Sequence, residues 1–330
     1  MYIKNLILVL SVLFLLSCEQ EQNSYTQING FTMGTTYQVT LEKKSLDDIQ
    51  LKKDIDQRLV QINQLMSTYI DDSELSLFNV SNSIDCYQLS QDTLYVIKNA
   101  IEVSKQTSGK FDVTLAPLIE IWGFDKKQTN EQIPEQHNIE QLLAQIGYQK
   151  IQLQKTCAAK KNGQLSVNLS AIAKGYAADQ IADLLKSQKV ENYLVEIGGE
   201  VANQGVNAKQ QSWRIAIESA STTKRSIQKV ITPKGLGLAT SGSYRNYFER
   251  DGKRYSHTID PTTGYPITHQ LASVTVLHKE TMIADALATA MMVMGPEESL
   301  KFANENKIPV FMLVKNKQIF EEIHNDLFTQ

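Results

Sequence analysis

Cysteine is scarce in this 330-residue chain: Cys18, Cys86 and Cys157 are all it has. Five histidines accompany them, and no Cys/His cluster has zinc spacing, so a structural zinc site does not organise the fold. A surplus of charge of either sign is also lacking. Thirty-six acidic residues face 33 basic ones, and a net charge of -3 announces no nucleic acid or other polyanion as partner. The apolar run from Leu6 to Leu16 stops at eleven residues, whereas a membrane-crossing helix takes about 20. The glycine pair Gly198-Gly199 has neither Walker nor dinucleotide spacing and argues for no phosphate loop.

That short apolar run, preceded by Lys4, suits the core of a signal peptide, so the chain reads as exported. Leu15-Leu16-Ser17-Cys18 resembles the lipobox of bacterial lipoproteins, which makes residues 1–17 a leader and Cys18 a lipid-modified N-terminus that anchors the protein to the membrane, facing the periplasm. An ordinary secretory signal with an incidental cysteine is the alternative. Residues 18–27 read as a polar tether and residues 28–330 as the globular part. Export permits a disulfide between Cys86 and Cys157, but two cysteines of unknown separation do not establish one.

The stretch from Leu238 to Pro266 is the most informative. Alternating aromatic-rich runs flank Asp251-Gly252, a dipeptide that readily supplies the two positive φ angles of a type I′ turn. A two-residue loop pairs Glu249 with Arg254, Phe248 with Tyr255, Asn246 with His257 and Tyr244 with Ile259, and sets the aromatic residues on one face with His257. Such a histidine is either a working group or one packed on a half-buried sheet.

Elsewhere the pattern alternates between helix and strand. Apolar spacing predicts helices over residues 46–66, 90–107 and 139–146, and a short one after Asp72-Ser73-Glu74. Residues 110–124 mix apolar side chains with Pro117 and Gly123 and read as neither helix nor strand, either a pocket lining or a buried irregular segment. Leu165 to Leu169 reads as a strand entering a helix capped by Ser170, which puts Lys174 in the first turn. A cation is disfavoured at that end of the helix dipole, so Lys174 is better explained by an anion nearby than by helix stability.

The helix from Thr281 to Met294 is apolar nearly all round, as a buried helix is. Asp285 and Thr289 are its polar exceptions, four residues apart on one face. A buried carboxylate needs a partner. Asp285 either bonds Thr289 and nearby backbone, or joins it as a pair of hard oxygen donors for magnesium.

The order of these motifs resembles the ApbE family of flavin transferases. The resemblance runs from Thr32-Met33-Gly34-Thr35 through Ser67-Thr68-Tyr69, Phe111-Asp112-Val113-Thr114, Trp122-Gly123-Phe124, Ala171-Ile172-Ala173-Lys174-Gly175, Ile197-Gly198-Gly199, Thr240-Ser241-Gly242 and His257 with Asp260-Pro261 to Asp285 with Thr289. It implies an α+β fold, T-fold-like, of duplicated antiparallel-sheet units with packed helices, here two intertwined subdomains. It implies FAD as substrate, held by Met33, Tyr69, Lys110, Phe111, Asp112, Asn168, Lys174 and Ile259. Mg²⁺ would be bound by the Ala171 carbonyl, Asp285 and Thr289, with His257 as catalytic base and the aromatic hairpin face as a wall of the flavin site. The implied activity is transfer of FMN to a threonine hydroxyl of an acceptor protein, with FAD hydrolysis or simple flavin binding as alternatives. Implied acceptors are flavoprotein subunits of redox-driven ion pumps or other exported flavoproteins. The chain departs from the family at Asn168, where Asp is usual, and at Leu77, where Arg is frequent.

Overall fold

A computed structural model describes residues 24–43, 46–124, 133–220, 226–244, 247–317 and 319–328. The leader with Cys18, the greater part of the polar excursion after Phe124 and Asn246 lie outside the described residues. The chain opens with a hairpin of β1 (Tyr25–Thr32) and β2 (Thr35–Glu42), turned by Met33 and Gly34 at φ 49° and 71°. Because β1 pairs from Tyr25 onward, the segment read as tether ends three residues sooner than the sequence indicates.

Helix α1 (Asp48–Met66) is capped by the Asp47 side chain and buries Leu51, Ile55, Leu59, Ile62 and Met66 along one face. Then come α2 (Glu74–Val80), β3 (Tyr87–Gln88) and α3 (Gln91–Gln106). The segment read as irregular contains a short helix, α4 (Ala116–Ile121), because Pro117 falls in its first turn, where a missing N–H goes unnoticed. After α5 (Gln136–Gln145), β4 (Ile151–Leu153) and β5 (Cys157–Lys160) complete a small sheet with β3. A disulfide joins Cys86 to Cys157.

Residues 165–169 are not a strand. Leu165, Val167 and Leu169 are buried as their alternation requires. Their backbone instead bonds to distant loop and helix residues: the Asn79 amide donates to the Val167 carbonyl (2.7 Å) and accepts from its N–H (2.8 Å), and the Asn168 N–H donates to the Val113 carbonyl (2.7 Å). The next elements are α6 (Ala173–Ser187), β6 (Tyr193–Ile197), β7 (Glu200–Gln204), β8 (Ile215–Glu218), β9 (Ile227–Ile231) and β10 (Gly237–Gly242). They are followed by β11 (Tyr247–Arg250), β12 (Lys253–Ser256), β13 (Leu271–His278), α7 (Thr281–Met294), α8 (Pro296–Glu305), β14 (Val310–Asn316) and β15 (Ile319–His324).

Eight strands form one antiparallel sheet in the order β1-β2-β6-β7-β10-β13-β14-β15. The order is a repeat. In β1-β2-α6-β6-β7 and again in β10-β13-α7-β14-β15, two strands, a helix and two more strands lie side by side, each helix inserted between the second and third strand. The two units meet where Leu238 of β10 pairs with Val201 of β7. Helices α1, α3, α6 and α7 cover one face over the main core, while β8, β9 and Phe328 cover part of the other.

The β11–β12 hairpin keeps the expected register, with Phe248 opposite Tyr255, Glu249 opposite Arg254, and both Asp251 and Gly252 at positive φ. The ladder ends at Tyr247 and Ser256. Tyr244 and Ile259 do not pair. The chain after Ser256 peels off to bond the Tyr265–Ile267 segment, Ile259 bridges Pro266, and Tyr244 enters the core on the far face of the large sheet.

Candidate functional site

A cleft of about 730 Å³ opens between the loops of the two units. Tyr69, Lys110, Phe111, Asp112, Asn168, Ala171, Lys174, His257, Ile259, Asp285 and Thr289 all line it. Residues 224 positions apart in sequence, from Tyr69 to Val293, thus share one wall system. Met33 is not among the lining residues; it occupies the β1–β2 turn and packs on the main core.

The centre of the cleft is built by two helix N-termini that meet. Gly175 allows the approach, since a Cβ there would come within 2.5 Å of the Thr281 carbonyl. Each helix then caps the other. Asp285 of α7 accepts the Gly175 N–H (3.1 Å), while Asp179 of α6 accepts the N–H groups of Thr281 (3.0 Å) and Met282 (2.9 Å). Ser170 is therefore not the cap of α6; Ile172 holds that position and the capping oxygen comes from another helix. The Gly175 N–H is the group that would otherwise close a helical turn onto the Ala171 carbonyl, so this capping leaves that carbonyl to other partners.

Asp285, 3 % exposed, uses one oxygen on Gly175. It does not bond Thr289, whose hydroxyl pairs instead with the Ser241 hydroxyl at 3.0 Å. Burial raises the Asp285 carboxyl above the usual range, opposed by the Lys174 charge and the Gly175 N–H. Among the described residues no three His, Cys, Asp or Glu side chains gather for a metal. A cation here would draw on the free oxygen of Asp285, the Thr289 hydroxyl and the Ala171 carbonyl, a hard-oxygen set that suits magnesium.

Lys174 does lie in the first turn of α6, and the anion its position called for is protein. Glu200, at the start of β7, stands 3.4 Å away and is 3 % exposed. Burial would lower the Lys174 ammonium, but the charges of Asp285 and Glu200 outweigh it and hold the lysine above its ordinary value. Burial raises the Glu200 carboxyl above its ordinary value, and the Lys174 charge beside it opposes that rise. Sequence reasoning passed over Glu200; an acidic residue directly after Gly198-Gly199, at the head of a strand, was the available signal. It also quoted Ser241 only as part of a motif, because a serine at a strand end has no distinguishing pattern.

The remaining lining residues take their places from loops. Asn168 turns the chain into α6 by accepting the Ser170 N–H (2.8 Å). The Asp112 carboxylate is occupied within its own loop, accepting from the Thr114 N–H (2.8 Å), the Thr114 hydroxyl (2.6 Å) and the Tyr148 N–H (2.9 Å). Lys110 reaches Asp260 at 3.5 Å, and Tyr69 is 62 % exposed at the mouth. His257 follows β12 directly, with Phe124 edge-on to its ring at 6.4 Å between centroids. The aromatic face of the hairpin is not itself the cleft wall. Phe248 and Tyr255 stack behind Phe124 and against Trp122, whose indole N–H donates to the Gly264 carbonyl (2.8 Å); the stack is a buried strut, and Phe124 is its member in the cleft.

Fold and cleft define a helix-on-sheet protein built from two like units, with hard oxygen donors, a lysine and a histidine converging where the units meet. The sequence model of the ApbE family matches residues 33–312, and the chain belongs to that family. It is 43% identical to an FAD:protein FMN transferase of Vibrio cholerae, over 98% of this chain and 97% of the relative, and 36% identical to one of Escherichia coli, over 95% and 93%. Among solved structures, the flavin transferase ApbE from Vibrio cholerae superposes with a TM-score of 0.86 at 43% identity, covering 92% of this chain and 98% of that one. The apo form of Pseudomonas stutzeri flavinyl transferase ApbE gives 0.86 at 37% identity, with 92% and 96% covered.

Proposed function

We propose that this protein transfers the FMN part of FAD to a threonine hydroxyl of an acceptor protein in a Mg²⁺-dependent reaction that releases AMP. One observation carries the reading: Ala171, Lys174, His257, Asp285 and Thr289, drawn from both sheet units, line a single cleft. Asp285, Thr289 and the Ala171 carbonyl would hold the cation, which when bound offsets negative charge on the pyrophosphate. Lys174 and the start of α6 face the same anionic group and share that task. His257, an imidazole lining the cleft, takes the proton of the attacking hydroxyl. The new bond forms between that oxygen and the FMN-side phosphorus, the pyrophosphate P–O bond breaks, and AMP leaves with the electron pair. Tyr69, Lys110 and Ile259 orient the nucleotide, and positioning supplies much of the rate.

The protein works outside the cytoplasm, anchored to the membrane through lipidated Cys18, on exported flavoproteins such as subunits of redox-driven ion pumps. The Cys86–Cys157 pairing supports this, because structural disulfides persist in oxidising compartments. The test mixes the fragment lacking residues 1–18 with FAD, Mg²⁺ and a threonine-bearing acceptor domain. Flavin fluorescence that stays with the denatured acceptor is the expected result. Free FMN and AMP without labelled acceptor would make it a hydrolase, and intact FAD a carrier.

A further inference from the structure

Glu200 is a buried carboxylate that the proposed chemistry does not use. Its Oε1 faces Lys174 at 3.4 Å, and among the described residues its Oε2 has no hydrogen-bond partner. Burying an ion on such terms is costly by several kcal/mol in effective terms, and one long ion pair returns little of that. Nor does the fold need the charge, since β7 pairs with β6 through its backbone and Glu200 merely stands opposite Ile197. The Gly198-Gly199 turn, at φ 62° and 106°, runs beside the lysine stem: a Cβ on Gly198 would be in van der Waals contact with the Lys174 Cδ at 3.4 Å, although its tight contact, 2.7 Å, would be with Thr35.

Lys174 has two anions to choose from. Its ion pair is with Glu200, whereas Asp285 acts on it through space. A lysine ammonium on a flexible stem is a compact cation, and seated on Asp285 it would occupy the oxygen a divalent ion needs. With Glu200 present, the three side chains carry one positive and two negative formal charges, which leaves the cluster attractive to a dication. Without it they cancel.

We infer that Glu200 is a positioning residue that holds the Lys174 ammonium off Asp285 and so keeps the Asp285 carboxylate open to the divalent cation. The inference rests on the cation reading given above. Its test is Mn²⁺ binding to the mature chain without FAD, followed by the electron paramagnetic resonance signal of free Mn²⁺, for the wild type, Glu200→Gln, Lys174→Met and the double variant, with thermal melts to establish folding. Glu200→Gln is expected to weaken Mn²⁺ binding about tenfold. Adding Lys174→Met to it restores affinity to near the wild-type level, because the competing ammonium is gone. If Glu200→Gln does not fold, Glu200→Asp replaces it, with a smaller loss in the same direction and the same restoration by Lys174→Met. Wild-type affinity in the Glu200 variant overturns the inference. So does a double variant as weak as the single one, which would make Glu200 a direct ligand. A wild type that binds no Mn²⁺ removes the cation reading itself, and this inference with it.

Discussion

His257 stands just beyond the last ladder pair of β12, so the strand fixes its backbone while its ring lines the cleft beside Phe124. Replacing it with glycine removes the proposed base and leaves Lys110, Lys174 and Ile259 in place. His257→Gly is therefore expected to retain FAD, measured by quenching of flavin fluorescence, and to lose transfer by a factor of about 10²–10⁴. Undiminished labelling of an acceptor would remove His257 from the mechanism. At this scale the sequence was legible where a side chain broke a local rule: Lys174 opposed its helix dipole, and Asp285 interrupted an apolar helix. For Glu200 it offered only a place directly after the glycine pair, because nothing in a strand of five residues marks which of its side chains will face a lysine 26 positions earlier. Asn168 shows the opposite case. Its side-chain oxygen accepts from Ser170, a turn contact that Asn and Asp make equally well, so the departure from the family's usual residue costs the local fold nothing.

Helices α6 and α7 cap one another, and each cap can be tested. Gly175→Ala would gain up to about 1 kcal/mol in helix propensity. The added Cβ would sit 2.5 Å from the Thr281 carbonyl, and relieving such a contact costs about 1–3 kcal/mol. The clash prevails, and urea denaturation is expected to show a net loss of about 1–2 kcal/mol. Asp179 gives a pH signature. Burial outweighs its backbone hydrogen bonds and lifts the carboxyl from 3.8 to about 6, so the folded state holds the proton more tightly than the unfolded chain. The stabilisation is full below pH 3.8 and is lost as pH rises through about 6. Relative to Asp179→Asn, whose side chain does not titrate, the wild type should lose about 3 kcal/mol across that window. Parallel pH–stability curves for the two proteins would contradict it. Neither cap was readable from sequence, since capping is read from a helix's own first residues and these oxygens come from 102 to 110 positions away. The Asp251-Gly252 turn was readable because its geometry is set by two adjacent residues.

Across the whole molecule, the Cys86–Cys157 disulfide spans 71 positions and ties the small sheet together beside α2. Loop closure of that length corresponds to about 4 kcal/mol, so reduction, or Cys86→Ser with Cys157→Ser, is expected to lower the unfolding free energy by about that amount in urea titrations. The repeated strand order was foreseen only through the family resemblance. Single strands carry alternation, but their order in a sheet depends on contacts such as Leu238 with Val201 that no local pattern encodes. Residues 165–169 make the same point, for their alternation was genuine and their hydrogen bonds went to Asn79 and Val113. The reciprocal capping of α6 and α7 bears finally on speed. Asp285 is fixed by a backbone N–H of another helix, so the cleft's central carboxylate is oriented when the chain folds. A cation taken up at the site proposed above would have no helix to order and no carboxylate to recruit from solvent, and its rate of capture would then be governed by the shedding of its own water.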